Sequence, residues 1–459
     1  MSAYGTVARH VMAPMIDTLR NTHTMRCLQQ LEQSQWWPRE RLEELQNLRL
    51  QRLITHAYEH VPYYRQVMAQ RHVTPSGIRT AADLALLPVL TREQVQQSLQ
   101  SLVADNWPRK RLHAMNTSGS TGTPLRFYST REDQIDHGYA RSIRAMSWAG
   151  IMLGDRIARI GRIHYARTRR GRVLQSLSNR LQRCQNITVE TLSDEALPQV
   201  VRHLAESHLS GIRAYPNALA LIAGFIKDNG VQMPAVPSIV TGAAQILSHE
   251  RRIIHEVFGG EPHSDYSSSE VLEIASECSA HQGLHVAMED MVLEILDGEG
   301  RPLPPGAEGR IVITNLHNYG MPFIRYDIGD SGSLMEGDCP CGRNLPRISA
   351  LVGRRDQFFI TRSGSRVFFG TLFLEDLALL GMRQYQLVQE SLDSVVIRLV
   401  APPEAGEAQR KDLGKKVLTM FESSLGTELG LRVEFVDHIE PTEEGKHLFM
   451  ISRVSGHIP

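Results

Sequence analysis

Asn116-Thr117-Ser118-Gly119-Ser120-Thr121-Gly122-Thr123-Pro124 is the stretch on which the reading of this chain turns. Small hydroxylated residues alternate with glycines, and the strand-like Leu125-Arg126-Phe127-Tyr128 follows. Glycine admits φ > 0 and close backbone approach, so such a loop can aim several N–H groups and hydroxyls at one anion. It reads as a phosphate cradle. The glycine–lysine–serine ending of the common P-loop is absent, which excludes the ATPase and GTPase reading that such an ending would carry. A plain Gly/Ser turn between two elements is the alternative, and the remaining chain has to decide.

At 459 residues the chain is long enough for two or three domains of ~100–200 residues, and for a sizeable buried site. Lys+Arg and Asp+Glu both total 50, a balance that argues against nucleic acid or an anionic membrane surface as the main partner. Hydrophobic residues make up 42%, and no apolar run approaches the ~18 residues that span a bilayer. Met1 to Met15 lacks the charged-then-apolar order of a signal peptide, so the expected location is the cytoplasm. The five cysteines are too few and too scattered for a disulfide framework; metal binding or simple packing remains.

Apolar spacing at Leu50, Ile54, Ala57 and Val61 predicts a helix that breaks at Pro62. Thr91-Arg92-Glu93-Gln94 has capping-box spacing and predicts another helix start. A helical pattern runs from Arg131 to about Gly150, where Tyr139, Met146 and Trp148 either line a pocket or pack in the core. Between Arg156 and Arg172 lie seven arginines: a solvated loop, or a landing site for polyphosphate. Ser238 to Ala244 reads as a buried strand entering a small-residue turn, with a helix from Glu250 to Phe258, a strand-turn-helix unit of α/β type. Val286 to Leu296 and Gly309 to Leu316 read as strands of a β-rich part. After Gly353-Arg354-Arg355-Asp356 the pattern becomes a small α+β module, with strands Ser394 to Val400 and Leu431 to Val436 around a helix from Pro403 to Leu425. The expected fold is therefore α/β and α+β: a large N-terminal α/β domain (1–353) with a β-rich subdomain, a hinge at 354–356, and a small mobile C-terminal α+β domain (357–459).

Four further motifs join the opening loop. Asp265-Tyr266-Ser267-Ser268-Ser269-Glu270 offers an aromatic face, hydroxyls and a carboxylate able to hold Mg²⁺, or else a polar loop. Pro322 to Asp330 ends a strand with an acid at a tight turn, suited to ribose hydroxyls or to capping the turn. Gly353-Arg354-Arg355-Asp356 sits where a hinge would sit, and Gly445-Lys446 follows the acidic Glu443-Glu444. In that order, SGSTGTP, YSSSE, RYDIGD, GRRD and GK resemble the adenylate-forming superfamily of acyl-CoA synthetases, in the phenylacetate–CoA ligase branch that includes capsule-biosynthesis relatives. Ile54 to Arg65 and Leu87 to Thr91 match the same branch, so the likeness runs from about residue 45 to 455.

The resemblance implies that Ser118, Gly119, Ser120, Thr121, Gly122 and Thr123 hold the ATP phosphates, that Gly242, Ala243 and Ala244 flank adenine, and that Tyr266 stacks on it, with Asp265 and Ser267 beside it in the site. Ser268 or Ser269 would touch the α-phosphate, Glu270 would bind Mg²⁺, and Asp330 would hold the ribose with Arg354 in support. Asp356 would be the hinge, and Lys446 the catalytic lysine. The family usually has glycine where Ser267 stands, which narrows the backbone choices beside Tyr266. Cys278, Cys339 and Cys341 with His281 or His285 make a set of the kind that closes a structural zinc site, and related proteins with this pattern look like zinc binders; reduced cysteines packed as small hydrophobes are the alternative. Tyr139, Trp148, His164, Tyr215 and Asp265 are candidates for the acid pocket or for the core.

The function so implied is ATP-dependent activation of a small organic acid, aryl or arylacetic, to an acyl-adenylate and its transfer to coenzyme A. The alternatives are an amine, an amino sugar or a carrier-protein thiol as acceptor, or a non-catalytic scaffold of the same fold. No nucleic-acid or membrane partner is expected, and a homodimer is among the expected assemblies.

Overall fold

A computed structural model describes residues 3–116, 125–161, 176, 179–188, 196–243, 246, 248–349, 358–362, 366–368, 377, 380, 382, 384–402, 405–425, 429–439 and 450–454. The loop Ser118 to Thr123, Arg162 to Arg172 with His164, and Ala244, Arg354, Asp356 and Lys446 lie outside the described residues.

Helix α1 (Thr24–Ser34) is followed by α2 (Arg39–His60), whose apolar stripe of Leu42, Leu50, Leu53, Ile54 and Ala57 is fully buried. The break expected at Pro62 is a restart. Val61 is extended, and Pro62 opens α3 (Pro62–Gln70), where its missing N–H costs nothing. The capping box at Thr91 forms as expected: the Thr91 hydroxyl accepts from Gln94 N–H at 3.3 Å, and the Gln94 side chain accepts from Thr91 N–H at 2.8 Å.

The hairpin β1 (Leu112–Asn116) and β2 (Arg126–Thr130) leads into a helical stretch that ends in α4 (Ala140–Trp148). Then come β3 (Ile157–Gly161), β4 (Cys184–Thr188), α5 (Leu197–Glu206), β5 (Gly211–Ala214), α6 (Pro216–Asp228), β6 (Ser238–Thr241), α7 (Ser248–Phe258) and β7 (Pro262–Ser268). Antiparallel strands follow: β8 (Leu272–Glu277), β9 (Leu284–Val286), β10 (Met291–Leu296), β11 (Gly309–Asn315), β12 (Tyr326–Gly332) and the short β13 (Arg347–Ile348). The central sheet has the order β13-β9-β8-β7-β6-β5-β3-β4, parallel from β4 to β7 and antiparallel beyond, while β10-β11-β12 form a separate sheet. Ala158, Ile160, Ile212, Ala214 and Ile239 pack on α5, α6 and α7. By the two-residue period of a strand, Ile157, Arg159, Arg213 and Val240 face the other way, the face that α4 covers at Ile157 and Val240.

The strand expected from Val286 to Leu296 is two strands of two sheets. Between them Glu289 and Asp290 are completely buried, because each meets cations. Arg144 of α4 pairs with Glu289 at 2.6 Å, which also accepts from Ser34 at 2.7 Å. Asp290 accepts from Arg49 of α2 at 2.6 Å and from Arg141 of α4 at 3.0 Å. It also meets His317 at 2.9 Å and His137 at 3.4 Å, whose rings stack 3.3 Å apart. Burial alone would lower His137, but Asp290 reverses that and holds it at about 9, while burial keeps His317 down at about 4. At neutral pH these shifts favour a charged His137 beside a neutral His317. Nearby, Gln35 accepts from Trp148 at 2.8 Å and from Arg343 at 2.9 Å, tying the first helices to the loop before β13.

The C-terminal part begins with the ribbon β14 (Phe358–Ile360) and β15 (Arg366–Phe368). A four-stranded sheet follows, β16 (Gln384–Ser391), β17 (Ser394–Val400), β18 (Gly430–Phe435) and β19 (Met450–Ser452), in the order β18-β17-β16-β19. Helix α8 (Glu407–Leu425) joins β17 to the parallel β18 and buries Leu413, Val417 and Phe421 in a core of its own with Tyr385, Leu387 and Ile397. The fold is thus α/β and α+β. The Asp290 node predicts the first test: Asp290→Asn leaves the buried Arg141 and the partly buried Arg49 without their anion and lets His137 lose its proton, and it lowers unfolding free energy by about 3–5 kcal/mol, read as a lower urea midpoint.

Candidate active site

Strand β7 carries the tyrosine–serine motif, so Asp265 to Ser268 is strand and not the polar loop that its composition suggested. Asp265 is 8% and Tyr266 6% exposed. A bulge falls between Tyr266 and Ser267. The left-handed backbone is carried nearby by Leu272 (φ 57) and Ala243 (φ 67), not by Ser267, so a serine in the glycine position costs no strain.

Two tyrosine–carboxylate hydrogen bonds join the two sheets. Tyr266 of β7 donates to Asp330 of β12 at 2.8 Å, and Tyr326 of β12 donates to Glu270, in the turn after β7, at 3.1 Å. Burial first, and then the neighbouring Glu270 charge, push the Tyr326 phenol well above its ordinary value, so it remains a donor. Asp330 does not end a strand: it lies within β12 where the pairing with β11 slips, beside Gly329 at φ 82. The structure therefore links Tyr266 to Asp330, and Glu270 to Tyr326 on the same strand as Asp330.

Next to them a cavity of about 380 Å³ opens at the carboxyl ends of β3, β5 and β6, where an open α/β sheet reverses its strand order. Gly242, Ala243, Ser267 and Ser268 line it together with Tyr139, Arg159 and Tyr215, and in the sheet order β3, which carries Arg159, is two strands from β6, which Gly242 follows. A Cβ on Gly161 would press 3.2 Å from the Tyr215 ring, so a side chain there would push that ring by a few tenths of an ångström. Of the acid-pocket candidates, Tyr139 and Tyr215 are in the wall. Trp148 is not; it packs among Leu42, Cys278, Met288, Cys339 and Leu345. Asp265 lies beneath the cavity, where Arg213 donates to Ser142 at 2.7 Å and reaches both Glu273 at 3.3 Å and Asp265 at 3.5 Å. Burial raises both carboxyls, and their mutual repulsion adds to the rise at Asp265. Sequence reasoning missed Arg213 and Glu273; the alternation of polar and apolar residues in β5 and β8 was the available signal.

At the opposite edge of the sheet, the sulfurs of Cys278, Cys339 and Cys341 and a nitrogen of His285 lie within 4.8 Å of one another. Cys278 and Cys339 are 3.7 Å apart, and Cys341 is 3.3 Å from His285 Nε2. Bonds of ~2.3 Å to sulfur and ~2.0 Å to nitrogen give tetrahedral edges of roughly 3.5–3.8 Å, so the set fits a tetrahedral metal. His285 Nδ1 donates to the Leu345 carbonyl at 3.3 Å, the outer-shell bond that presents Nε2 inward. His281 is outside the set, 3.3 Å from Glu277 and 4.5 Å from the His263 ring.

Residues 373–453 match the CapK C-terminal domain family. The phenylacetate-coenzyme A ligase of Thermus thermophilus is 29% identical over 338 residues, 71% of this chain and 73% of that protein. The CapK protein of Staphylococcus aureus is 23% identical over 432 residues, 90% of each. These relatives support the adenylate-forming superfamily, in its phenylacetate–CoA ligase-like branch. They support an enzyme, an adenylate-forming acid–CoA ligase. The crystal structure of 2-hydroxyisobutyryl-CoA ligase in complex with 2-HIB-AMP and CoA matches the fold with a TM-score of 0.59 at 20% identity, covering 91% of each chain. Among the described residues of this ligase no helix is long and apolar enough to cross a membrane.

The ligase's buried carboxyl pair makes a pH prediction. Glu273 holds its proton more tightly folded than unfolded, so its contribution is favourable below about 4.5, the unfolded value, and is lost as pH rises through the folded value. Glu273→Gln removes that titration and frees Asp265 from a like charge. The urea midpoint of the variant, relative to the parent, should therefore rise between pH 5 and pH 8; a constant difference would refute the assignment.

Proposed function

We propose that this ligase activates a small organic acid, with aryl and arylacetic acids the first class, to an acyl-adenylate and passes it to the thiol of coenzyme A. The observation that supports the reading is the reciprocal tyrosine–carboxylate pair, which ties the Tyr266 to Glu270 motif to the strand of Asp330 from segments some sixty residues apart.

A carboxylate oxygen attacks the α-phosphorus of ATP, the bond from that phosphorus to the bridging oxygen breaks, and pyrophosphate leaves. The thiol sulfur then attacks the acyl carbon, its proton passes to solvent, and AMP leaves. Two anions have to meet in the first step, so positive potential at the α-phosphate decides the rate. The Ser118 to Thr123 loop would hold the phosphates, Gly242 to Ala244 and the Tyr266 ring the adenine, and Asp330 with Arg354 the ribose. Ser268 and Ser269 would meet the α-phosphate. Glu270 would hold Mg²⁺ through its carboxylate oxygens, the hard donors that this ion takes while keeping much of its water, and it follows Ser268 and Ser269 directly in the chain. Mg²⁺ would supply charge neutralisation between phosphates. Lys446 would bring the remaining charge from the small domain, 357–459, and turning that domain at Asp356 would then clear a path for the thiol.

The match of residues 373–453 to CapK, a protein whose name states neither acid nor thiol, leaves a second acceptor class to be measured: an amine, an amino sugar or a carrier-protein thiol. Pyrophosphate exchange into ATP over a panel of acids, with and without coenzyme A, separates these. Glu270→Gln and Lys446→Ala should each slow exchange about 10²–10³-fold. Lys446→Ala should largely spare thioester formation from preformed adenylate, and equal loss of both half-reactions would remove it from the assigned role. No exchange with any acid would defeat the reading itself.

Cys278, His285, Cys339 and Cys341 are proposed to hold one structural zinc, which would close four positions and leave none for substrate. Elemental analysis of purified protein should give near one zinc per chain. Metal-free protein that keeps its thermal midpoint would rule the metal out.

A further inference from the structure

Among the described residues, one cation lining the cavity has no anionic partner. Arg159 is on β3 and Gly242 follows β6, with β5 between them. At ~4.8 Å per strand the two walls are about 10 Å apart, so Arg159 is remote from the side that Ser267 and Ser268 line.

Arg213 lies between these walls, and its guanidinium is already committed to Ser142, Asp265 and Glu273. Arg159 differs. Its Nη2 donates to the neutral Tyr139 hydroxyl at 3.2 Å, and its Nε is buried with no hydrogen-bond partner among the described residues. A buried N–H without an acceptor is costly, and a guanidinium N–H is more so. Nothing in the adenylation chemistry requires a cation at that wall.

We propose that Arg159, held by Tyr139, selects an acid bearing a second anionic group at the end remote from the carboxylate that is activated. A carboxylate or a phosphoryl group satisfies the guanidinium fork equally. This rests on the adenylation reading, and it narrows the substrate to dianionic acids short enough for a cavity of about 380 Å³. Arg159 is thereby a specificity determinant with no part in the reacting atoms.

The test pairs each monoanionic acid with an analogue that bears a second anionic group: phenylacetate with 4-carboxyphenylacetate and with 4-phosphonooxyphenylacetate, and valerate with glutarate. Exchange kcat/KM and equilibrium binding by calorimetry are read on the full chain and on Arg159→Gln and Arg159→Lys. The parent should prefer a dianion by roughly 10–100-fold, the order of one or two charge-assisted hydrogen bonds. Arg159→Gln should abolish that preference, the dianions losing far more than the monoanions, and Arg159→Lys should restore part of it. The carboxy and phosphonooxy arms tell which anion fits better.

Equal losses on both members of a pair would place Arg159 at the reacting carboxylate or the phosphates and overturn the proposal, as would a parent that binds both alike. If no acid supports exchange, the adenylation reading fails; calorimetry then still decides, since dianion binding that depends on Arg159 upholds the assigned wall and its absence removes it. Circular dichroism and retained monoanion handling show that the variants are folded.

Discussion

Two phenols and two carboxylates, crossed between sheets, hold this molecule's site in register. Each sheet supplies one tyrosine and one acid: Tyr266 reaches Asp330, and Tyr326 reaches Glu270. Neither sheet can slide along the other without breaking both bonds, and hydrogen bonds to a charged acceptor are worth about 1.5–3 kcal/mol each. The same crossing explains how a carboxylate is tolerated at Glu270, which is only 5% exposed, near the ring pair of Phe323 and Tyr326. The phenol hydroxyl supplies the donor that water would otherwise have to supply.

The wall of the cavity is fixed from the opposite side by charge. Helix α4 follows Tyr139 and carries Ser142 toward the pocket, while Arg141 and Arg144 of the same helix are drawn down onto Asp290 and Glu289. A helix anchored at two successive turns by buried ion pairs has little freedom to roll. Breaking such pairs costs far more than forming them gains, so their effect is to fix position more than to add stability.

Much of the fold was legible because its signals are local. The capping box at Thr91, the strand at Ser238, and the helix between β17 and β18 need only neighbouring residues to form. The site motifs were legible as an ordered series. What could not be read were partnerships made across the chain. Val286 to Leu296 looks like one apolar run until Arg141 and Arg144 are placed beneath Glu289 and Asp290, and then a buried turn between two sheets becomes the cheaper solution. Asp330 looked like a turn-ending acid because the register slip in β12 is imposed by β11. His285 could not be told from His281 by spacing; the antiparallel pairing of β9 with β13 decides, since it sets His285 opposite Arg347, beside the cysteine loop. Arg159 was visible only as one arginine among seven, and its place in the cavity lining follows from its position on β3.

The contacts of Gln35 carry a consequence for biosynthesis. Its side chain receives hydrogen bonds from Trp148 and from Arg343, a residue 308 positions further along. On a ribosome adding ~5–20 residues per second, Arg343 is made about 15–60 s after Gln35. For that interval the first two helices have most of their own sequence but not the loop that receives them. The charged and amide-bearing faces of Ser34, Gln35 and Arg49 stay compatible with water in the meantime, which lets the earliest part of the chain wait for the latest part of its own domain.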